Sequence, residues 1–481
     1  MVSVETIVGN APEKTVRGTS MRISQTRAVL GAGTAVLMAI GAGSITPAHA
    51  QSAEQKLQEM REQMQDMRER MRELEKQVED AAETADEASR TSEKTSRQVN
   101  DVRDTEKTVQ PDYPVTLTVG GRVNQGVLYA EQGPNDQAFV VDNDNSASRF
   151  EFNAETQFGA WSSGVEIEIS AEVNSTDEID FGANQGNEDQ LDDIGEFRVA
   201  TWYLEHPRYG HVAVGRGDTA AEDTTFADLS GTTLAAAADV DDPVGGLNFI
   251  TDRGTDLGDA DGFFDTLDDS RDSRILYSTP SFAGVRAHAS LNNDAESLNP
   301  NDNPAGDGLS PSLALTYAAE IRAFAVEAAA GWRREDTATG DDDIFTGSAS
   351  VMSPWGISVT LAGSTADIEN PAVTTAGNSV DAPTMIYGKL GYQTTVFAVG
   401  STSFSIDYYA GDNGPARFAA PGGALPEATS YGLGAVQKLT PLATELYLGI
   451  RRHEVDDVFV QGQEAEVDEM LSVLSGARVR F

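Results

Sequence analysis

The sequence predicts an all-β transmembrane fold, an antiparallel β-barrel of about sixteen strands, preceded by an α-helical coiled coil. Three observations carry that expectation: a secretory signal near the start, a seven-residue apolar repeat after it, and period-two alternation from Val115 onward. No later stretch approaches the roughly 20 consecutive apolar residues that a spanning helix requires. An exported chain of this kind crosses a bilayer with strands closed on themselves, because only closure satisfies every backbone group in lipid.

Residues 1–20 read as a polar leader ahead of an internal Met21, in keeping with a misassigned start. Arg22 and Arg27 then precede an apolar stretch from Ala28 to Gly43, and Ala48-His49-Ala50 follows. A basic segment, a short apolar segment and an Ala-x-Ala site make residues 21–50 a signal peptide.

Residues 51–110 contain no Gly or Pro and are rich in Glu, Gln, Arg and Met, a composition that favours helix. One seam runs Leu57, Met64, Met71, Val78, Ala85, Ser92, Val99; a second runs Met60, Met67, Leu74, Ala81, Ala88, Thr95, Val102. A repeat averaging 3.5 residues drives a left-handed coiled coil, since only supercoiling keeps such a seam on its partner. Self-association through this stalk is expected, although Met and Ala at the seam do not set the number of chains.

Pro111 and Pro114 end the helical pattern, and the barrel is expected over residues 111–481. In the first strand Val115, Leu117, Val119, Val123 and Val127 share one face while Thr116, Thr118, Arg122 and Asn124 share the other. Phe150, Phe152, Ala154 and Phe158 likewise oppose Arg149, Glu151, Asn153 and Glu155. Sixteen such segments are predicted near 115–130, 147–159, 164–174, 196–205, 211–216, 274–279, 284–292, 312–319, 321–332, 344–351, 356–366, 384–393, 402–410, 429–438, 443–453 and 469–481. A barrel of that size encloses a water-filled lumen. Tyr129, Trp161, Tyr203, Trp332, Trp355, Tyr392 and Tyr447 are placed as interfacial girdle residues.

The charge excludes some functions. Lys and Arg total 34 against 77 Asp and Glu, a net charge of -43, which repels nucleic acid phosphates. The absence of Cys excludes disulfides and thiolate metal sites. No G-x-S-x-G, H-E-x-x-H or phosphate-binding loop pattern occurs, and the five His at 49, 206, 211, 288 and 453 are scattered. No enzymatic activity is expected.

Four features carry a family resemblance: SRFEF at 148–152, the hairpin FRVATWYLEHPRYGHVAVGRGDT at 197–219, the strand DSRILYSTPSFAGVRAHASL at 272–291, and the alternating end at Phe481. Together they resemble Gram-negative trimeric outer-membrane porins, and the stalk ahead of the barrel looks most like the DcaP-like porins. The resemblance implies a homotrimer with a pore in each barrel, passive diffusion of small hydrophilic solutes and ions, a periplasmic coiled coil, and Phe481 as a signal to the barrel-assembly machinery. It also implies a long loop at about 217–271 that folds inward and sets carboxylates against a basic wall. The matching wall positions are Arg122, Arg149, Arg216 and Arg274. Parity points Arg122, Arg149 and Arg274 into the lumen, with Arg198, Arg286 and His288, whereas Arg216 needs a bulge at Gly215 or Gly217 to follow them. Glu222, Asp223 and Asp228 are the expected loop carboxylates.

Outer-membrane lipid and lipopolysaccharide are the surrounding partners, and the stalk reaches towards the cell wall. No cofactor is expected, with Ca2+ or Mg2+ on the acidic loops as the alternative. Asp259-Ala260-Asp261-Gly262 with Asp265 and Asp268 follows part of a calcium-loop spacing, but Leu257 stands where the first carboxylate belongs. Two rival functions remain open: a channel selective for organic anions such as dicarboxylates, by resemblance alone, and a structural spacer whose barrel is only an anchor.

Overall fold

The computed structural model describes residues 114–181, 195–293, 309–337, 340–374 and 376–481. The leader, signal peptide and stalk expected over 1–110 lie outside the described residues. No described helix is long and apolar enough to cross a membrane.

Strands β1 (Val115–Gln132) and β2 (Asn135–Asp142) form a hairpin, and β3 (Arg149–Phe158) continues the line of β2 after an interruption. β2 pairs with residues 125–132 of β1 and β3 with residues 115–122, so the two together make one stave. Then follow β4 (Trp161–Ser170), β5 (Phe197–His206) and β6 (Gly210–Asp218). Between β6 and the next wall strand a small hairpin forms, β7 (Asn248–Ile250) with β8 (Asp256–Asp259). The wall resumes with β9 (Arg271–Ser278), β10 (Val285–Asn293), β11 (Leu309–Ile321), β12 (Phe324–Thr337), β13 (Gly340–Met352) and β14 (Ile357–Ile368). It continues through β15 (Thr384–Phe397), β16 (Gly400–Asp412), β17 (Glu427–Leu439) and β18 (Thr444–Asp456). A second small hairpin, β19 (Val458–Val460) with β20 (Gln463–Ala465), precedes β21 (Met470–Arg480).

Every pairing between wall strands is antiparallel, and β21 returns to β1 in register from Arg122↔Arg480 to Gln132↔Met470. The result is a closed barrel of sixteen staves, the number expected from the alternation. Most tight turns, such as Phe158–Trp161, lie at one end, and the longer connections lie at the other with the β1–β2 turn, the usual periplasmic and extracellular ends of such a barrel.

The alternation has the predicted sense. Ile386, Leu433 and Ile406 stand on an outer face with about half or more of their surface exposed, while their neighbours point inward and are buried, and Leu117 and Leu361 are exposed on the same outer face. In β15, for example, Met385, Tyr387 and Lys389 are buried and Ile386 and Leu390 exposed. An outward apolar band of this kind is the face that a membrane barrel turns to lipid. Tyr129, Trp161, Trp355 and Tyr392 lie exposed with that band, but Tyr203 and Tyr447 do not belong to the girdles: both are buried, and the Tyr203 hydroxyl donates to Glu155 Oε2 at 3.1 Å.

Residues 219–270, between β6 and β9, pack against inward-facing wall residues and form a packed body instead of a thin strap. Leu234, Val240, Val244, Leu247, Phe249, Leu257, Phe263 and Phe264 are buried against the wall residues Tyr387, Tyr409, Val436 and Val455. Hydroxyls on the wall hold the loop's backbone. Ala227 N–H donates to Ser348 Oγ (2.9 Å), Leu229 N–H to Ser350 Oγ (3.0 Å), and Ser348 Oγ–H to Thr224 O (2.7 Å). Further round, Thr232 Oγ1 meets Ser405 Oγ at 2.8 Å, and His453 Nε2 lies 2.8 Å from the Val240 carbonyl, which accepts its hydrogen.

Candidate pore constriction

Opposite the packed half of the loop the lumen stays open as a polar cavity of about 690 Å³. One side is arginine. Arg122 on β1, Arg149 on β3, Arg198 on β5 and Arg274 on β9 all line it, as parity predicted, and so do Arg271 on β9 and Arg478 on β21, which the sequence reading did not single out. Glu168 links Arg149 to Arg198, the latter at 3.1 Å, and Glu172 takes a second nitrogen of Arg198 at 3.3 Å. Arg478 pairs with Glu445 at 2.5 Å.

Arg274 is held differently. Its Nε donates to Asp218 O and its Nη1 to Gly215 O, each at 2.7 Å, and Nη1 also lies 2.6 Å from Thr201 Oγ1. Among the described residues it meets no carboxylate within 4.0 Å. Gly217 makes this possible, because a Cβ there would stand 2.8 Å from Arg274 Nη2. The guanidinium therefore lies flat on β6 and keeps a fixed positive charge in the wall.

The other side is acidic. Glu222 and Asp223 from the inward loop line the cavity, joined by Asp239, Asp242 and Asp268 of the same loop and by Asp144 from the break between β2 and β3. Arg271 sits between Asp218 and Glu222 at 3.2 Å from each. One guanidinium balances one carboxylate, so the more deeply placed Glu222 keeps its proton: burial first, then Asp218 beside it, push its carboxyl up to about 9 against the pull of Arg271. The sign follows directly. Glu222 is neutral at pH 7 and becomes negative as pH rises through 9, so cation preference of the open pore should increase between pH 8 and 10. Reversal potentials under a salt gradient check this, and Glu222→Gln should flatten that change.

Three of the expected site residues lie elsewhere. Asp228 is not an eyelet carboxylate. It turns away from the cavity and pairs with Lys389 Nζ at 2.6 Å, with Thr360 Oγ1 donating at 3.2 Å and its own loop closed by Ser230 N–H at 2.7 Å. Burial alone would raise its carboxyl, but the Lys389 ammonium holds it below the usual carboxylate range. Arg216 is not in the wall either. The pairings of β6 with β5 and β9 run without a register shift, so the bulge it needed is absent and it keeps the outward parity of Val212 and Val214. Its Nε donates to Phe197 O at 3.0 Å. Arg286, with His288, lines the adjoining space towards the tight-turn end, bounded by Glu205, His206 and Pro207, which shares Asp218 and Glu222 with the first cavity. The calcium spacing is not realised as a cluster: among the described residues no group of three or more His, Asp or Glu side chains is placed to hold a metal ion. Asp265 and Asp268 instead cap backbone, Asp265 at Leu267 and Asp268 at Thr225.

Lys389 was legible in principle, since it shares inward parity with Met385 and Tyr387 in an otherwise uncharged strand. Arg478 was legible too, two places from Gly476 and four from Leu474 on the inward face of β21.

A family model described as Gram-negative porin matches residues 34–458, most of the chain. The chain belongs to the Gram-negative porins. It is accordingly an outer-membrane β-barrel, and its family consists of channels. No individual curated protein matches the sequence of this porin closely enough to serve as a relative. Among solved structures, an anion-selective porin from Comamonas acidovorans is 18% identical, with a TM-score of 0.50, over 76% of this chain and 100% of that one. OmpF of Salmonella typhi, in complex with daunomycin, is 13% identical, with a TM-score of 0.50, over 76% of this chain and 97% of that one. At such identities the likeness is one of fold.

Proposed function

We propose that this porin is a passive diffusion channel for small hydrophilic solutes and ions, assembled as a homotrimer of the DcaP-like type with residues 51–110 as a periplasmic coiled coil. The observation that carries the reading is the polar cavity itself, with fixed guanidiniums on the β1, β3, β5, β9 and β21 side and loop carboxylates facing them. Opposed charges across a narrow water-filled passage set a transverse field that screens solutes by size and charge. A barrel serving only as anchor or spacer has no use for so many charges turned inward, each costly to enclose.

Planar-bilayer recording of the purified mature protein tests this. Current should rise in groups of three equal steps, with ohmic conductance and a defined ion preference. A membrane that stays silent after insertion would sink the channel reading in favour of the spacer. Selectivity for organic anions such as dicarboxylates would instead show as a saturable current carried by those anions.

A further inference from the structure

Towards the tight-turn end the lumen continues past the constriction through spaces that share their lining residues. The constriction shares Asp218 and Glu222 with the space lined by Arg286 and His288. That space shares Arg286 with a cavity of about 420 Å³ bordered by Ala227 of the inward loop. Glu327 belongs both to this cavity and to the open mouth between the turns that follow β11, β13 and β15. A solute that has crossed the constriction meets Arg286 and then Glu327.

Of the residues lining the smaller cavity, only Arg286 and Glu327 are charged, and their signs are opposite. The strand register fixes their spacing. Arg286 on β10 lies across from Thr316, and Ala318, the next inward residue of β11, lies across from Glu327 on β12. Two strand spacings across and two residues along place the two Cα atoms roughly 12 Å apart. The wall between and beside them is small, formed by Ala318, Ala329 and Gly284, so the space between the two heads is open. Neither side chain is engaged by the protein: Arg286 is exposed to the lumen, Glu327 is half-buried, and among the described residues neither has an ion-pair partner within 4.0 Å. By contrast Arg149, Arg198, Arg451 and Arg478 are each paired with a carboxylate of the wall.

We infer that Arg286 and Glu327 together bind a small zwitterion, an amino acid or similar solute whose carboxylate meets the guanidinium and whose ammonium meets the Glu327 carboxylate. A guanidinium fork matches a carboxylate through two parallel N–H···O bonds, and a carboxylate accepts from an ammonium. One charge of each sign across an open gap selects a solute that carries both. Contacts of this kind in a wet lumen are weak, as passage requires, because a solute that binds on the path must also leave it. The inference rests on the channel reading, since it places the site on the conduction path below the constriction.

The test adds γ-aminobutyrate at pH 7 to KCl during single-channel recording of the full mature protein, with butyrate and butylammonium as probes that carry one charge each on the same carbon chain. Current should fall along a saturating curve with γ-aminobutyrate, at lower concentration than with either control. Arg286→Gln and Glu327→Gln should each raise the half-saturating concentration by about threefold or more, the size expected of a solvated charge contact. Arg253→Gln, on the exposed β7–β8 turn, should leave it unchanged. The double exchange Arg286→Glu with Glu327→Arg keeps both charges, and a zwitterion that turns round should regain most of the lost affinity. Butyrate or butylammonium acting as strongly as γ-aminobutyrate, a double exchange no better than the single Gln variants, or a KCl current that γ-aminobutyrate leaves unchanged would each overturn the site while leaving the channel standing. A wild-type protein that conducts no KCl current would remove the channel reading and the site with it.

Discussion

Lys389→Met leaves Asp228 buried inside the barrel without its counter-charge, and the variant should lose about 3–5 kcal/mol of stability. The pair is a buried tie between the inward loop and the wall. Lys389 Nζ reaches Asp228 Oδ2 at 2.6 Å, Ser230 Oγ at 3.3 Å and the carbonyl of Ala236. Asp228 in turn closes the Ser230 turn from which the loop proceeds to Ser405. Losing the ammonium therefore releases the residues that carry Glu222 and Asp223. The temperature at which the folded band converts to the unfolded one on a gel should drop markedly, and single-channel current should become noisy. Asp228→Leu combined with Lys389→Met should recover most of the stability, because an apolar pair of similar volume demands no pairing. Equal melting of Lys389→Met and the parent would refute this role.

Gly121→Val should largely prevent assembly of folded barrel. Gly121 pairs through its backbone with Phe481, N–H to carbonyl at 3.1 Å in both directions, and this is where the last residues join the first strand. A Cβ on Gly121 would stand 2.5 Å from Arg149 O and 2.9 Å from the Phe481 ring. The ring has room to turn, but the carbonyl belongs to the β1–β3 ladder and does not, which puts the substitution among the severe overpacking cases. Phe481 also packs edge-on against Phe150, with ring centroids 6.1 Å apart, so a displaced ring loses that contact as well. Refolding yield in detergent, read from the heat-modifiable band, checks the prediction. Gly121→Ala, with the same Cβ and nothing beyond it, should be impaired to a lesser degree.

The wall of the barrel was legible because a membrane barrel writes the same two-residue period into each stave, apolar towards lipid and polar towards the lumen. The sixteen predicted segments correspond to the sixteen staves on that basis. The break in the second stave was not legible. Ala138-Phe139-Val140-Val141 has no alternation, and Asp142-Asn143-Asp144-Asn145 reads as an ordinary loop, yet the structure pairs Asn135–Asp142 with β1 and folds the acidic turn inward. Arg122, Arg149, Arg198 and Arg274 line the cavity, on the face to which parity assigns them. For Arg216 family likeness and parity disagree, and the unshifted β5–β6 and β6–β9 registers leave it on the outward parity. The loop carboxylates were the hardest to assign. Residues 219–270 have little regular periodicity, so nothing in the spacing separates Glu222 and Asp223, which face the cavity, from Asp228, which faces Lys389. That distinction depends on a lysine about 160 residues away in sequence.

In the proposed channel, solutes pass between the arginine wall and the carboxylates of the inward loop. The sequence contains no Cys, so Asp223→Cys carries a single thiol at the edge of the cavity, where Asp223 is exposed. The decisive measurement is single-channel current through this variant before and after addition of a bulky charged thiol reagent. A stepwise loss of most of the current is expected, one pore at a time, with the parent unaffected. Complete labelling with undiminished current would place the conducting path elsewhere and contradict the proposed passage.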